Sequence, residues 1–150
     1  MRKRRHPLAR AVALNVTAPL LLSAAFTAAT VGMRGRSIVH ISSGAARRPI
    51  AGWSVYCACK AALDQHARVV AADAVPGLRI CSLAPGVVDT DMQTEIRSSD
   101  PTHFPLHSQF ATLHADGALV KATTAAARLL DYVLGADFGT HPVADLRDIV

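Results

Sequence analysis

Aromatic residues are scarce in this chain, with one Trp, two Tyr and four Phe among 150 residues. A nucleic-acid surface needs aromatics interleaved with a distributed basic face, and neither is present. The net charge is +5, but the first ten residues hold Arg2, Lys3, Arg4, Arg5 and Arg10 with no acid, which leaves the rest of the chain neutral. No nucleic-acid partner is expected, and segment 1–9 reads as a basic, disordered extension. Cysteine is also sparse. Cys57, Cys59 and Cys81 are an odd number, and Cys57-Ala58-Cys59 lacks the two-residue spacing of redox or zinc motifs. A disulfide framework is therefore not expected, and a reducing, cytoplasmic compartment fits better. Long low-complexity tracts are missing, and half the residues are hydrophobic. The chain has enough apolar residues for one domain with a sizeable core.

Charge is absent altogether over 11–33. Behind a basic start, this stretch imitates a secretory signal or a membrane anchor. Asn15, Thr17, Pro19, Ser23, Thr27 and Thr30 dilute it, and an Ala- and Leu-rich helix buried on most sides has the same pattern. The expectation is a buried helix over about 10–30, with no membrane partner.

A glycine-punctuated turn at Gly32 and Gly35 leads to a strand over 37–43. A helix over 54–74 follows, closed by Pro76-Gly77, and then a second apolar strand over 78–84. The segment 87–118 is irregular, with short helices near 92–97 and 108–114. A firmer helix covers 122–134, and 142–150 includes a last short strand. Strands alternating with helices of crossover length predict an α/β fold with a parallel sheet. In such sheets ligands bind beyond the carboxyl ends of the strands.

Ser43 lies at one such end. Tyr56 and Lys60 lie four residues apart on the following helix, so phenol and ammonium share a face. A free phenol has a pKa of about 10 and donates poorly at neutral pH. An ammonium about 4 Å away favours the ionised form by roughly 4 kcal/mol at an effective dielectric near 20. Alone, such a pair is common on helices. With Ser43 before it and Pro85-Gly86 after the next strand, it reads as equipment for moving a proton onto or off an oxygen.

At these residues the sequence resembles the short-chain dehydrogenase/reductase family. Its marks are Asn15 in LNVTAPLLLS, Ser43 in IVHISSG, Tyr56 and Lys60 in YCACK, and PGVVDT over 85–90. GWSVYCACKAALD and APGVVDTDMQ look like the branch that contains sepiapterin reductase and benzil-type diketone reductases. The resemblance implies a Rossmann-like parallel sheet with flanking helices, and reduction of a carbonyl by hydride transfer with Tyr56 as proton donor. It implies Asn15, Ser43, Tyr56 and Lys60 as catalytic residues. Tyr56, Lys60, Pro85, Gly86, Val88 and Thr90 would hold the cofactor, NADP(H) by branch with NAD(H) not excluded. Ser43, Trp53, Met92 and Asp145 would meet a small-molecule carbonyl substrate. Asn15 would hold a water linking Lys60 to solvent. Intact family members would form homo-dimers or tetramers. No metal is expected: His103 and His107 have i, i+4 spacing, but Pro105 between them argues against a helix.

The family's opening glycine-rich turn and its N-A-G segment are not found in this sequence. The resemblance therefore covers the C-terminal half of the family domain, its last three strands and their helices. A truncated chain, or one that needs a complementary chain, is the expectation, with an unpaired strand edge and an uncovered apolar face. The alternative reading is a non-catalytic remnant that serves at most as a dimerisation module.

Overall fold

The computed structural model describes residues 6–102 and 104–149. Most of the basic segment 1–9, and His103 of the histidine pair, lie outside the described residues. The first helical run starts at Pro7, three residues before the expected boundary. It comprises α1 (Pro7–Val12), a π-helical turn (Ala13–Thr17) and α2 (Ala18–Ala29). Pro7 suits the first turn because its missing N–H has no helical partner there. Pro19 cannot donate to the carbonyl of Asn15 four residues back, and its ring crowds that group. The wider π turn is where the ladder gives way, and Asn15 lies inside it.

Three parallel strands follow the order β1 (Arg36–Ile41), β2 (Leu78–Ala84) and β5 (Val143–Asp145), with β2 in the centre. A second parallel pair joins β3 (Val88–Asp89) to β4 (Val120–Lys121). Between them run α3 (Ser54–Ala72), α4 (Asp91–Ser98), α5 (His107–Ala115) and α6 (Ala122–Leu134). Side-chain alternation along the strands divides the core in two. Ile38 and Ile80 face α3 and pack on Ala67 and Val70. Val39, Cys81 and Leu83 face α6 and pack on Tyr132, Leu129 and Phe138. The result is a three-layer α/β slab of the expected Rossmann-like class. All three cysteines are free thiols, two of them buried.

The first helical run corrects one expectation. It is not buried on most sides: Ser23 is its only buried residue. Leu14, Leu21 and Leu22 are 67%, 65% and 70% exposed. One side lies on α3. Among the described residues β1 pairs with β2 alone, so no further described strand extends the sheet beneath the other side of the run. By length and composition the run Pro7–Ala29 could cross a membrane, a test that core helices of soluble proteins also pass.

Candidate active site

The carboxyl ends of β1 and β2 open into a cavity of about 260 Å³. Ser43, Trp53, Tyr56, Lys60, Pro85, Gly86, Val88, Thr90 and Met92 all line it. Nine residues singled out from sequence thus meet at one place. Ser43 caps the short 3-10 turn Gly44–Ala46, its hydroxyl accepting from the Ala45 amide at 3.2 Å. Tyr56 and Lys60 share a face of α3, with Nζ 5.6 Å from the centre of the phenol ring. Lys60 donates to the carbonyl of Ile41, the last residue of β1, at 2.9 Å. That bond fixes the ammonium beside the strand end, and burial lowers its pKa from the ordinary lysine value.

Asn15 does not line this cavity. It lines two neighbouring ones, together with Lys60 on one side and Tyr56 on the other. Its amide donates to the Ala11 carbonyl at 3.0 Å, which fixes the side chain within its own helix.

Asp145 is not brought to the cavity either. It is 5% exposed, and Arg147 grips it through Nε at 2.9 Å and Nη2 at 2.6 Å. That hydrogen bonding holds its carboxyl below the usual range, against the opposing effect of burial. Arg147 lines the cavity in its place.

Behind the serine sits a carboxylate that sequence reasoning passed over. Asp64, 2% exposed, follows Tyr56 and Lys60 by one further turn of α3. It accepts from Ser42 at the end of β1, from Ser82 of β2 at 2.8 Å and from Arg47 at 3.1 Å. Arg47 in turn donates to the Ala144 carbonyl of β5 at 2.8 Å. The buried Asp64 and the partly exposed Arg47 thus join three strands, the helix of the tyrosine and the loop after Ser43. The i, i+4, i+8 spacing of Tyr56, Lys60 and Asp64 was the available signal. A carboxylate without a visible partner in sequence gave it no direction.

An aromatic wall was also missed. Trp53 stacks on Phe104 (centroids 5.2 Å, planes 7° apart) and meets Tyr56 edge-on at 5.3 Å. Phe110 packs on both Trp53 and Phe104. Phe104 and Phe110 come from the segment read as irregular, where no periodicity marked them. His107, of the histidine pair, bonds the Arg97 carbonyl at 2.9 Å.

With this geometry in place, comparison with known proteins is decisive about family. The family model described as short chain dehydrogenase matches residues 3–101. This chain belongs to that family. It is 41% identical over 116 residues to benzil reductase ((S)-benzoin forming) of Bacillus subtilis, covering 75% of this chain and 48% of that protein. It is 39% identical over 140 residues to sepiapterin reductase of Mus musculus, covering 91% and 52% respectively. The chain therefore spans about half the length of the curated relatives it matches. A solved short chain dehydrogenase from Burkholderia cenocepacia, in complex with NADP, superposes with a TM-score of 0.68 at 26% identity, over 95% of this chain and 56% of that one. The family and the Rossmann-like fold are thereby shown for this chain.

Proposed function

We propose that this short-chain dehydrogenase chain carries the proton-transfer and nicotinamide-end portion of an NADP(H)-dependent carbonyl reductase. The observation that carries the reading is the convergence of Ser43, Tyr56, Lys60 and the 85–90 turn on one cavity. Tyr56 is the proton donor to the carbonyl oxygen. The Ser43 hydroxyl donates to the same oxygen as negative charge develops on it. Lys60 keeps a positive charge beside the phenol and supports loss of its proton.

The residues present fit the nicotinamide end of a dinucleotide. Gly86 turns the chain at φ +84° directly after β2, which brings backbone to the cavity wall. Pro85, Val88 and Thr90 continue that wall, and Lys60 faces it. Bound there, the dinucleotide would supply the hydride. NADP rather than NAD is favoured by the complexed structural relative.

The substrate reading is a ketone or diketone with a planar, aromatic or pterin-like body. The names of the benzil and sepiapterin reductase relatives support it, as does the aromatic wall of Trp53, Phe104 and Phe110. Three free thiols agree with a reducing, cytoplasmic setting. The family supports a homo-oligomeric assembly.

The test is reduction of benzil by NADPH, comparing the chain with its Tyr56→Phe variant. Loss of the proton donor should lower the rate by roughly 10²- to 10⁴-fold. A rate that Tyr56→Phe leaves unchanged would remove the mechanism.

A further inference from the structure

The cavity that holds Ser43 and Tyr56 is lined by three cations and by no carboxylate. Two of the three already have partners. Lys60 donates to the Ile41 carbonyl, and Arg147 is paired with Asp145. The third, Arg48, is exposed and makes no hydrogen bond or ion pair among the described residues.

Arg48 and Arg147 converge on Gly44, the residue after Ser43. Nε and Nη2 of Arg48, and Nη2 of Arg147, each lie 3.8 Å from the point a Cβ on Gly44 would occupy. Like charges gathered at one spot, with only one of them compensated, favour an anion between or beside them. A guanidinium fork suits a carboxylate, with two parallel N–H donors for two oxygens.

The anion site begins one residue from the serine proposed to hold the reacting oxygen. We infer that the preferred substrate is a 2-oxo acid with a planar substituent, whose carboxylate binds Arg48 beside Arg147 while its keto oxygen meets Ser43 and Tyr56. Trp53 and Phe110 then flank the substituent. The keto carbon gains hydride from NADPH and the oxygen gains the Tyr56 proton, giving a 2-hydroxy acid and NADP⁺. This inference rests on the reductase reading for its chemistry, but its binding step can be measured alone.

Trp53 is the chain's single tryptophan and lines the cavity, so its fluorescence reports occupancy without turnover. The full chain is titrated with benzoylformate and with its uncharged methyl ester. Benzoylformate should bind roughly 10- to 100-fold more tightly, as one charge-assisted hydrogen-bonded pair provides. Arg48→Ala should erase that preference and leave the ester unaffected, Arg48→Lys should keep part of it, and added salt should weaken the acid alone. Equal binding of acid and ester, binding of neither, or a preference that survives Arg48→Ala overturns the inference. So does an Arg48→Ala effect on NADP⁺ titration with none on benzoylformate, because the arginine would then serve a dinucleotide phosphate. Benzil reduction is run alongside. An Arg48-dependent preference without turnover keeps the site and sinks the reductase reading, whereas turnover without the preference does the reverse.

Discussion

The helix α3 and the first helical run are both rich in alanine and other apolar residues, yet the fold uses them in opposite ways. α3 buries Cys59, Leu63, Asp64 and Ala67, while the run over 7–29 buries Ser23 alone. α3 lies over β2 and touches the strand on each side of it. The first run lies on α3 and beyond β1, the edge strand among the described residues. Position over the sheet, rather than apolar content, decides which helix is covered. The chemistry follows the covered helix, because Tyr56, Lys60 and Asp64 need a fixed relation to the strand ends.

The largest test of that contrast is the carboxylate that fixes α3 to the sheet. Asp64→Ala removes the acceptor of Ser42 and Ser82 and leaves Arg47 without its short ion pair. The buried Ser42 and Ser82 hydroxyls then lack their acceptor at about 1–3 kcal/mol each, while the partly exposed Arg47 adds little, and the sum is read as a lower urea midpoint. Asp64→Asn retains an oxygen for the serines and should cost less. Equal stability of Asp64→Ala and the parent chain would mean that α3 is held by apolar packing alone.

A smaller effect depends on pH. His40 of β1 shares a hydrogen bond of 3.0 Å with His66 of α3. Burial first, then His66 and Lys60, lower the His40 pKa from 6.5 to about 4. The folded state thus stays neutral at His40 while the unfolded chain takes up a proton. The associated stability is fully present above pH 6.5 and is lost as pH falls towards about 4. Allowing for partial solvation, the loss is about 2 kcal/mol. Urea midpoints at pH 7 and pH 4.5 should differ accordingly, and His40→Asn should flatten that difference. Asp145 acts in a separate window: Arg147 lowers its carboxyl pKa, so its contribution fades only below the ordinary carboxylate range.

Much of the site was legible because its residues sit at fixed offsets from elements that the pattern identifies. Ser43 lies two residues past the end of a strand, Tyr56 and Lys60 are one helical turn apart, and Pro85-Gly86 follows the next strand. The neighbourhoods of these residues were less legible. Arg47, Asp64 and Asp145 meet only when β1, β2 and β5 lie side by side, and no local spacing encodes that register. Asp145 was visible as a carboxylate near a strand end, but not as the partner of an arginine two residues later. The first helix was legible as a helix. Its exposure was not, since exposure depends on what lies beyond β1.

The end of α3 offers a modest gain. Ala74 adopts φ +49°, a left-handed conformation that glycine adopts more readily. Ala74→Gly should raise stability by about 0.5 kcal/mol, after the added freedom of the unfolded chain is set against the relief of strain. A lower thermal midpoint for Ala74→Gly would show that the methyl group packs more usefully than its backbone angle suggests.

The smallest expected effect bears most directly on the contrast between the helices. Leu22 of α2 is 70% exposed and Leu63 of α3 is 3% exposed. Leu63→Ala should cost about 2–5 kcal/mol, because it opens a cavity against the sheet. Leu22→Gln should change stability by less than about 0.5 kcal/mol, since an exposed side chain loses few contacts. Leu22 also lines a groove of about 440 Å³ with Leu14 and Phe26, bounded by Ile38 and Lys60. If Leu22→Gln cost as much as Leu63→Ala, that groove would be covered in solution. Such a cost should then grow with protein concentration if a second copy supplies the cover, and stay constant if the chain's own residues do.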